Sequence, residues 1–277
     1  MRYQIRSALI TITVGMLLGS GGAQALTAPT ITAPTSGSTV FPMPTLQWTA
    51  VTGATVYLVW LSQGNSGPNI LPCAWAPGKN CRIQGVSLAV TAPLAPGAYT
   101  LSVTASNGSV TATSAAMHFT VKRFEDLGLT VFDHQTGLEW EKKTEDGGIH
   151  DKDNLYTWST VAPWNPDGTA FTVFLAGLNA GACVSTSDGT TESNQTDCSF
   201  AGHGDWRLPK LSELKTILDC SNGAPCVAPI FGLTQSVGYW SSSSYAFFPS
   251  VAWAVYFDVV GGTPITKSYD LYVRAVR

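Results

Sequence analysis

Charged residues are almost missing from the first part of this sequence. Residues 26–121 contain no Asp or Glu, and their only Lys and Arg are Lys79 and Arg82. All eighteen acidic residues lie from Glu125 onward, against eleven Lys and Arg from Lys122 onward, so the second part has a net charge of minus seven (eleven minus eighteen). The chain therefore lacks the basic patch that binding to nucleic acid or to a sulfated polysaccharide requires.

The sequence also lacks a hydrophobic run long enough to cross a membrane. Its apolar stretch Ala8–Leu18 is shorter than the ~20 residues that a spanning helix needs. Arg2 and Arg6 precede this stretch and Ala23-Gln24-Ala25 follows it, which is the order of a secretory signal peptide with an A-x-A cleavage site. We expect residues 1–25 to be removed, leaving a mature chain without a transmembrane segment that is periplasmic, secreted or attached to the cell surface.

Closely spaced thiols of the C-x2–4-C kind, which would bind a metal, are absent too. The six cysteines instead form three pairs of near neighbours along the chain, and an even number of cysteines in an exported protein indicates disulfides. Six cysteines allow about fifteen pairings in principle. We predict the local one because no bridge then crosses the expected domain boundary. The predicted bridges are Cys73–Cys81, Cys183–Cys198 and Cys220–Cys226.

Short β-prone runs alternate with Gly, Pro and Asn turn signals through residues 26–121, which predicts a β-sandwich. Pro44–Trp48 and Val51–Tyr57 resemble strands B and C of a fibronectin type III or immunoglobulin-like domain. Leu94–Tyr99 resembles the turn and tyrosine corner before strand F. The resemblance implies that Trp48 and the Tyr99 ring fill the core between two sheets.

The composition changes at residues 122–127, which we interpret as a linker to a second domain, 128–277. That domain opens with two short β-prone runs around Gly137, a hairpin pattern. Two helical stripes follow, over 170–180 and 211–218, and strand-like runs fill most of the rest. The predicted fold class is an all-β sandwich followed by an α+β domain.

Five motifs occur in order in the second domain: Asp133-x-x-Thr136-Gly137-Leu138-x-Trp140, Thr157-Trp158, Trp206-Arg207-Leu208-Pro209 with Glu213-Leu214, Tyr239-Trp240-Ser241-Ser242 and Tyr272-Val273-Arg274-Ala275-Val276-Arg277. Together they resemble the C-terminal domain of the Legionella collagen-like adhesin. The similarity spans about Phe124–Arg277 and implies a C-type-lectin-like fold whose first and last strands pair, with a bacterial surface or secreted binding role. The sulfated polysaccharide of the adhesin is not transferred, because this domain is acidic.

Catalytic motifs are incomplete in this chain, so we assign no catalytic residue. Formylglycine-generating oxidases share the Arg-Leu-Pro helix start, but Ala275 lies where many relatives carry Cys. Ser212 and Lys215 match S-x-x-K without its companion motifs. Asn165-Pro166-Asp167 is similar to the polar-Pro-polar signature of calcium-dependent lectins, but it precedes the Trp-Arg-Leu-Pro helix, where that signature should follow. We interpret it as a turn.

An acidic segment offers the one candidate for a metal. Asp146, Asp151 and Asp153 lie close in sequence with Glu145 and Asn154, and oxygen ligands of this kind bind calcium. The spacing is not that of an EF-hand. We favour a solvated loop, with calcium as the alternative and no other cofactor indicated.

The candidate ligand site is aromatic. Tyr245, Phe247 and Phe248 lie in a Ser- and Pro-flanked segment between two strand-like runs. Exposed aromatic patches mark binding surfaces, although the same rings could pack beneath the loop or against the first domain. We interpret the chain as a secreted or cell-surface bacterial binding or adhesion protein for an extracellular glycan or protein. The alternatives are an extracytoplasmic enzyme acting on glycan or peptide, or a structural module of a surface assembly.

Overall fold

The computed structural model describes residues 25–73, 79–180, 200–258 and 261–277. The expected signal peptide, apart from Ala25, and the expected Cys183–Cys198 bridge lie outside these ranges. None of the helices within them combines the length and the apolar character needed to span a bilayer.

The first domain is a β-sandwich, as predicted. One sheet has three strands in the order β1-β3-β6. The other has six, in the order β2-β9-β7-β4-β5, with β8 pairing with β7. The strands are β1 (Ile31–Ala33), β2 (Thr39–Val40), β3 (Thr45–Trp48), β4 (Val56–Gln63), β5 (Cys81–Ile83), β6 (Ser87–Ala89), β7 (Gly97–Ser106), β8 (Thr111–Thr113) and β9 (Met117–Val121).

Alternation of buried and outward-facing residues explains this core. β3 buries Leu46 and Trp48 and turns the residues between and before them outward, as a strand with one face on a core does. Trp48 and Tyr99 are 3% and 2% exposed. The Tyr99 ring lies 5.6 Å from the ring of Phe119, centroid to centroid. The expected roles of Trp48 and Tyr99 in the core are confirmed.

The second domain is α+β. Its strands are β10 (Phe124–Asp126), β11 (Thr130–Asp133), β12 (Leu138–Glu141), β13 (Tyr156–Thr157), β14 (Gly238–Ser244), β15 (Val251–Tyr256), β16 (Gly261–Thr266) and β17 (Asp270–Leu271). They form the sheets β10-β11-β12, β14-β15-β16 and β13-β17. The first helix, α1, is π-helical over Ala170–Leu175 and α-helical over Ala176–Asn179, and the second, α2, covers Leu211–Thr216. Single 3-10 turns cover Phe200–Gly202 and Pro229–Phe231.

The C-terminal end of the chain pairs with β12 near the start of this domain, which is close to the pairing of first and last strands that the lectin-like resemblance implies, although β10 pairs with β11 and β17 pairs with β13. The Arg277 backbone N–H donates to the Glu139 carbonyl at 2.9 Å, and the Glu139 N–H donates back at 3.1 Å. The Glu141 N–H donates to the carbonyl of Ala275 at 3.1 Å. The C-terminal segment thus adds to β12 and closes the domain.

The Trp-Arg-Leu-Pro motif anchors the segment that leads into α2. Trp206 and Leu208 are 3% and 1% exposed and belong to the core. Arg207 donates through its two terminal guanidinium nitrogens, Nη1 and Nη2, to the Glu213 carboxylate oxygens at 2.7 and 2.9 Å. Glu213 also accepts the Lys210 N–H at 2.8 Å, so it satisfies a free donor at the start of α2.

The residues interpreted as a linker are partly ordered in a sheet. Phe124–Asp126 forms β10, which pairs antiparallel with β11. The Phe124 ring packs edge-on against Phe231 at 4.9 Å between centroids. The pairing with β11 places these three residues in a sheet of the second domain, so this domain begins before residue 128 in the structure.

The contacts divide the chain into two compact units. One contains the residues up to Ser38, Pro44–Thr91 and Ala98–Phe119, and the other contains Thr39–Met43, Ala92–Gly97 and Thr120–Arg277. The separate folding of 26–121 and 128–277 stays a prediction. Its test should use a fragment that begins before β10.

Two of the three predicted disulfides lie within the described residues, and both are present. Cys73 and Cys81 are bridged with their Cα atoms 5.2 Å apart. Cys220 and Cys226 are bridged with a Cα separation of 4.1 Å. Each bridge stays within one domain.

Removal of the Cys220–Cys226 bridge should destabilise the protein modestly. The bridge closes a short loop, so the chain-entropy estimate for the Cys220→Ser/Cys226→Ser variant is a loss of roughly 2 kcal/mol. Urea unfolding of the variant and the oxidised protein measures the difference. A loss above about 4 kcal/mol would show that the bridge does more than restrict the unfolded chain.

Candidate ligand-binding surface

The predicted aromatic site is the tip of a β-hairpin. Residues 245–250, here called the aromatic tip, join β14 to β15. Phe247 is 79% exposed and Phe248 is 61% exposed. The structure therefore places both phenylalanine rings at the surface and not in the core.

Tyr245 supports these rings from below. It is half-buried, and its ring centroid lies 5.6 Å from Phe247 and 6.0 Å from Phe248, the second pair being stacked. On its other side it meets the half-buried Trp253 ring edge-on at 5.4 Å. The four rings form one cluster in which aromatic pair contacts hold the exposed faces in place.

A β-bulge sets the direction of this hairpin. Trp240 pairs with Ala254, but the next pairing joins Ser244 to Ala252, so β14 has extra residues between the two pairs. Bulges bend a strand and increase its twist. The Ser242 N–H donates to the Pro209 carbonyl at 2.8 Å, which fixes the bulge to the segment before α2.

Two serine hydroxyls beside the tip form hydrogen bonds within the protein. The Ser243 hydroxyl accepts the Leu211 N–H at 3.0 Å, and the Ser241 hydroxyl donates to the Trp253 carbonyl at 2.7 Å.

A buried ionic cluster lies inside the domain, and the sequence analysis missed it. The Glu141 carboxylate is fully buried, and one of its oxygens accepts from Lys143 Nζ and from His150 Nδ1, both at 2.8 Å. Arg274, also fully buried, donates to the Glu141 and Phe231 carbonyls at 2.6 and 2.8 Å. Three charged side chains are thus shielded from water by one another and by the backbone.

Burial and pairing act in opposite directions on these groups. Burial alone would raise the pKa of Glu141, but the charge of Lys143 and the contacts with His150 outweigh it, and the pKa is lowered. Burial lowers the pKa of Lys143, against the opposing effect of Glu141. These side chains contact one another and the backbone, whereas the buried Arg274 Nε has no hydrogen-bond partner, and we interpret the cluster as part of the fold.

The acidic residues considered for calcium are engaged with backbone and neighbouring side chains. Asp151 accepts the N–H groups of Gly147 and Asp153 at 2.6 and 2.8 Å, and these bonds lower its pKa. The Asp146 carboxylate accepts the Gly148 N–H at 2.8 Å. Asp153 instead pairs with Lys152 at 2.8 Å and with Gln235. In the described ranges, no three His, Cys, Asp or Glu side chains are grouped so as to hold a metal.

Comparison with known proteins gives one family match. The model of the Lcl C-terminal domain family matches residues 129–277, more than half of the chain. No curated protein matches.

Two solved human structures are similar over 37% of this chain, each at 18% identity. One is the fn3 domain of the collagen alpha-1(XX) chain, of which 91% is covered with a TM-score of 0.28. The other is the fibronectin type-III domain of fibronectin type III domain containing protein 3, of which 92% is covered with a TM-score of 0.26. The assignment of the first domain rests on its own two sheets and not on these similarities.

Proposed function

Because this chain belongs to the Lcl C-terminal domain family, we propose that it is a secreted or cell-surface adhesion-type protein that binds its ligand with the aromatic tip. The sandwich domain is a spacer in this proposal, and the α+β domain presents the binding surface. The ligand is an extracellular glycan or a protein. Disulfides within each domain fit an oxidising location outside the cytoplasm.

The observation that carries the proposal is the exposure of Phe247 and Phe248 at 79% and 61%. A soluble protein gains no stability from phenylalanine rings held in water, since burial is what makes them favourable. Here Tyr245 contacts both rings and itself packs against Trp253, while the two rings stay at the surface. Flat apolar faces in a fixed position suit the C–H face of a sugar ring or a pocket on a partner protein.

Truncation of the tip should separate binding from stability. We expect Tyr245→Ala/Phe247→Ala/Phe248→Ala to weaken binding at least ~100-fold, because two exposed rings act as the central contacts of the interface. Its Tm should fall by less than about 4 °C, since only Tyr245 is half-buried. Surface plasmon resonance of the mature chain on immobilised cellulose, xylan, mannan, β-1,3-glucan, chitin, heparin, collagen and mucin measures the binding, and calorimetry measures the Tm.

A matched control variant shows whether a loss of binding is specific to the aromatic tip. Leu129 and Leu233 are 54% and 48% exposed outside the tip, so Leu129→Ala/Leu233→Ala removes comparable surface without touching the site. The proposal is wrong if this control weakens binding as much as the tip variant, or if the tip variant binds like the unchanged protein. No binding to any of the eight surfaces would also count against it.

A further inference from the structure

Lys267 lies at the base of the aromatic tip and is almost fully buried, at 2% exposure. Its backbone N–H donates to the carbonyl of Ser250, the last residue of the tip, at 2.8 Å. Its carbonyl accepts the N–H groups of Trp158 and Ser159 at 3.0 and 3.1 Å. Lys267 therefore joins the tip to the segment that follows β13.

The side chain of Lys267 reaches further along that segment. Its ammonium donates to the Trp164 carbonyl at 2.8 Å and lies 3.8 Å from the centroid of the Trp158 ring. Burial lowers the pKa of Lys267, partly opposed by the charge of Asp167. Burying this cation costs desolvation energy, which its contacts have to offset. One of these contacts is the hydrogen bond that constrains the backbone at Trp164.

Trp164 has a backbone conformation that a large side chain rarely adopts. Its φ is +67°, in the left-handed region, which costs roughly 1–2 kcal/mol for a residue other than glycine. Such conformations persist where the surroundings enforce them, and they cluster at ligand sites. The Lys267 ammonium on the Trp164 carbonyl supplies that enforcement, and Trp164 itself is half-buried.

Two further exposed apolar side chains, Tyr269 and Val161, lie on the segments that Lys267 joins. Tyr269, two residues after Lys267, is 61% exposed, and its N–H donates to the Thr266 carbonyl in the turn after β16. Val161, in the same turn as Trp164, is 60% exposed. The exposed apolar surface at this end of the domain is therefore broader than the aromatic tip alone.

The charged side chains near this surface decide which class of ligand it favours. Residues 158–169, 244–251 and 266–271 contain only three charged side chains, Asp167, Lys267 and Asp270. The cation is buried and bound, whereas both carboxylates lie on exposed residues. A polyanion such as a sulfated glycan would meet repulsion here, while a neutral sugar chain offers flat C–H faces to the rings without that penalty.

We propose that Trp164 and Tyr269 extend the aromatic tip into one platform for a neutral pyranose chain, with Lys267 as the positioning residue that holds Trp164. This inference rests on the proposed function and names its ligand class. In this proposal each ring stacks on one sugar face, so a chain of several sugars is needed to contact all of them.

The test is isothermal titration of the full mature chain with defined sugars. The probes are the hexasaccharides of cellulose, β-1,3-glucan, xylan, mannan and chitin, with a heparin hexasaccharide as the anionic comparison. Trp164→Ala should weaken binding of the best neutral probe about tenfold, while Trp164→Phe stays within about threefold because a flat ring remains. Leu129→Ala, which removes an exposed side chain elsewhere, should leave binding unchanged.

The Lys267→Met substitution tests the positioning role when it is made in two proteins, the unchanged chain and the Trp164→Ala variant. It should weaken binding several-fold in the unchanged protein and have almost no effect when Trp164 is already Ala, since its contribution acts through Trp164. Equal weakening in both backgrounds would show a merely structural role and overturn the assignment. If Lys267→Met fails to fold, the Trp164 variants alone decide.

The outcomes separate this inference from the proposed function. If Trp164→Ala binds normally while the triple tip variant loses binding, the platform is wrong and the tip remains the site. If neither variant loses binding, both are wrong. If the heparin hexasaccharide or only a protein surface binds, the ligand class is wrong even where the tip is required.

Discussion

Replacing Glu141 with Gln should lower the free energy of unfolding by about 3–5 kcal/mol, the largest effect expected of any single substitution proposed here. Glutamine has the same shape but no charge, so Lys143, with 2% of its side chain exposed, would be left in the interior without a counter-charge. The other Glu141 oxygen accepts the Ala275 N–H at 2.9 Å, so the substitution also disturbs the closing strand.

Urea unfolding at pH 7 measures this effect, and two further variants identify its cause. Lys142→Met removes the neighbouring ion pair with Asp126, which is solvent-exposed, and should cost less than about 1 kcal/mol. Glu141→Gln combined with Lys143→Met should be less destabilised than the sum of the two single changes, because no lysine is then left unpaired. A loss below 1 kcal/mol for Glu141→Gln alone would show that the cluster is hydrated in solution.

Asp133→Asn should destabilise the domain by about 3 kcal/mol. The carboxylate is fully buried and accepts Arg123 Nε at 2.7 Å and Arg123 Nη2 at 2.5 Å, one on each oxygen. The Thr136 hydroxyl donates to it at 2.6 Å. An amide can accept on one oxygen only, so one half of the two-pronged Arg123 contact is lost.

The effect of Asp133→Asn should depend on pH. Burial alone would raise the pKa of Asp133, but bonds from Arg123, Thr136 and the Gln135 N–H outweigh it and lower the pKa. A lowered folded-state pKa stabilises above the ordinary pKa of Asp, and that contribution disappears as pH falls through the folded-state value. The Tm difference between variant and unchanged protein should therefore be largest near pH 7 and shrink below about pH 4. A difference independent of pH in calorimetry would mean that charge is not the cause.

Much of the architecture follows from local sequence pattern. Alternating residues in β3 and β7 predict the sandwich, and turn glycines mark its hairpins. The spacing of Phe174 and Leu178 predicts α1, in which both are buried. In the second domain, Gly137 has a φ of +73°, which fits the hairpin turn expected there. These elements are determined by residues close together in the sequence, so the local pattern is sufficient to predict them.

Other features depend on contacts between distant residues and have no local signal. β16 contains two glycines and a proline and is a strand because it pairs along its full length with β15. The Lys267 ammonium reaches a carbonyl 103 residues away. Glu141 and Lys143 are charged residues, which are exposed in most proteins. The sequence marked the aromatic tip by composition, whereas the residues that surround and support the tip required the fold.

The central claim is that the aromatic end of the α+β domain is the ligand surface. The most direct measurement is an NMR titration of the mature chain, labelled at aromatic side chains, with the best-binding neutral hexasaccharide. We expect the ring signals of Phe247, Phe248 and Trp164 to shift together and saturate at one affinity, while those of the buried Trp140 and Trp48 stay in place. Saturable binding that shifts signals elsewhere and leaves the Phe247 and Phe248 rings unperturbed would contradict it.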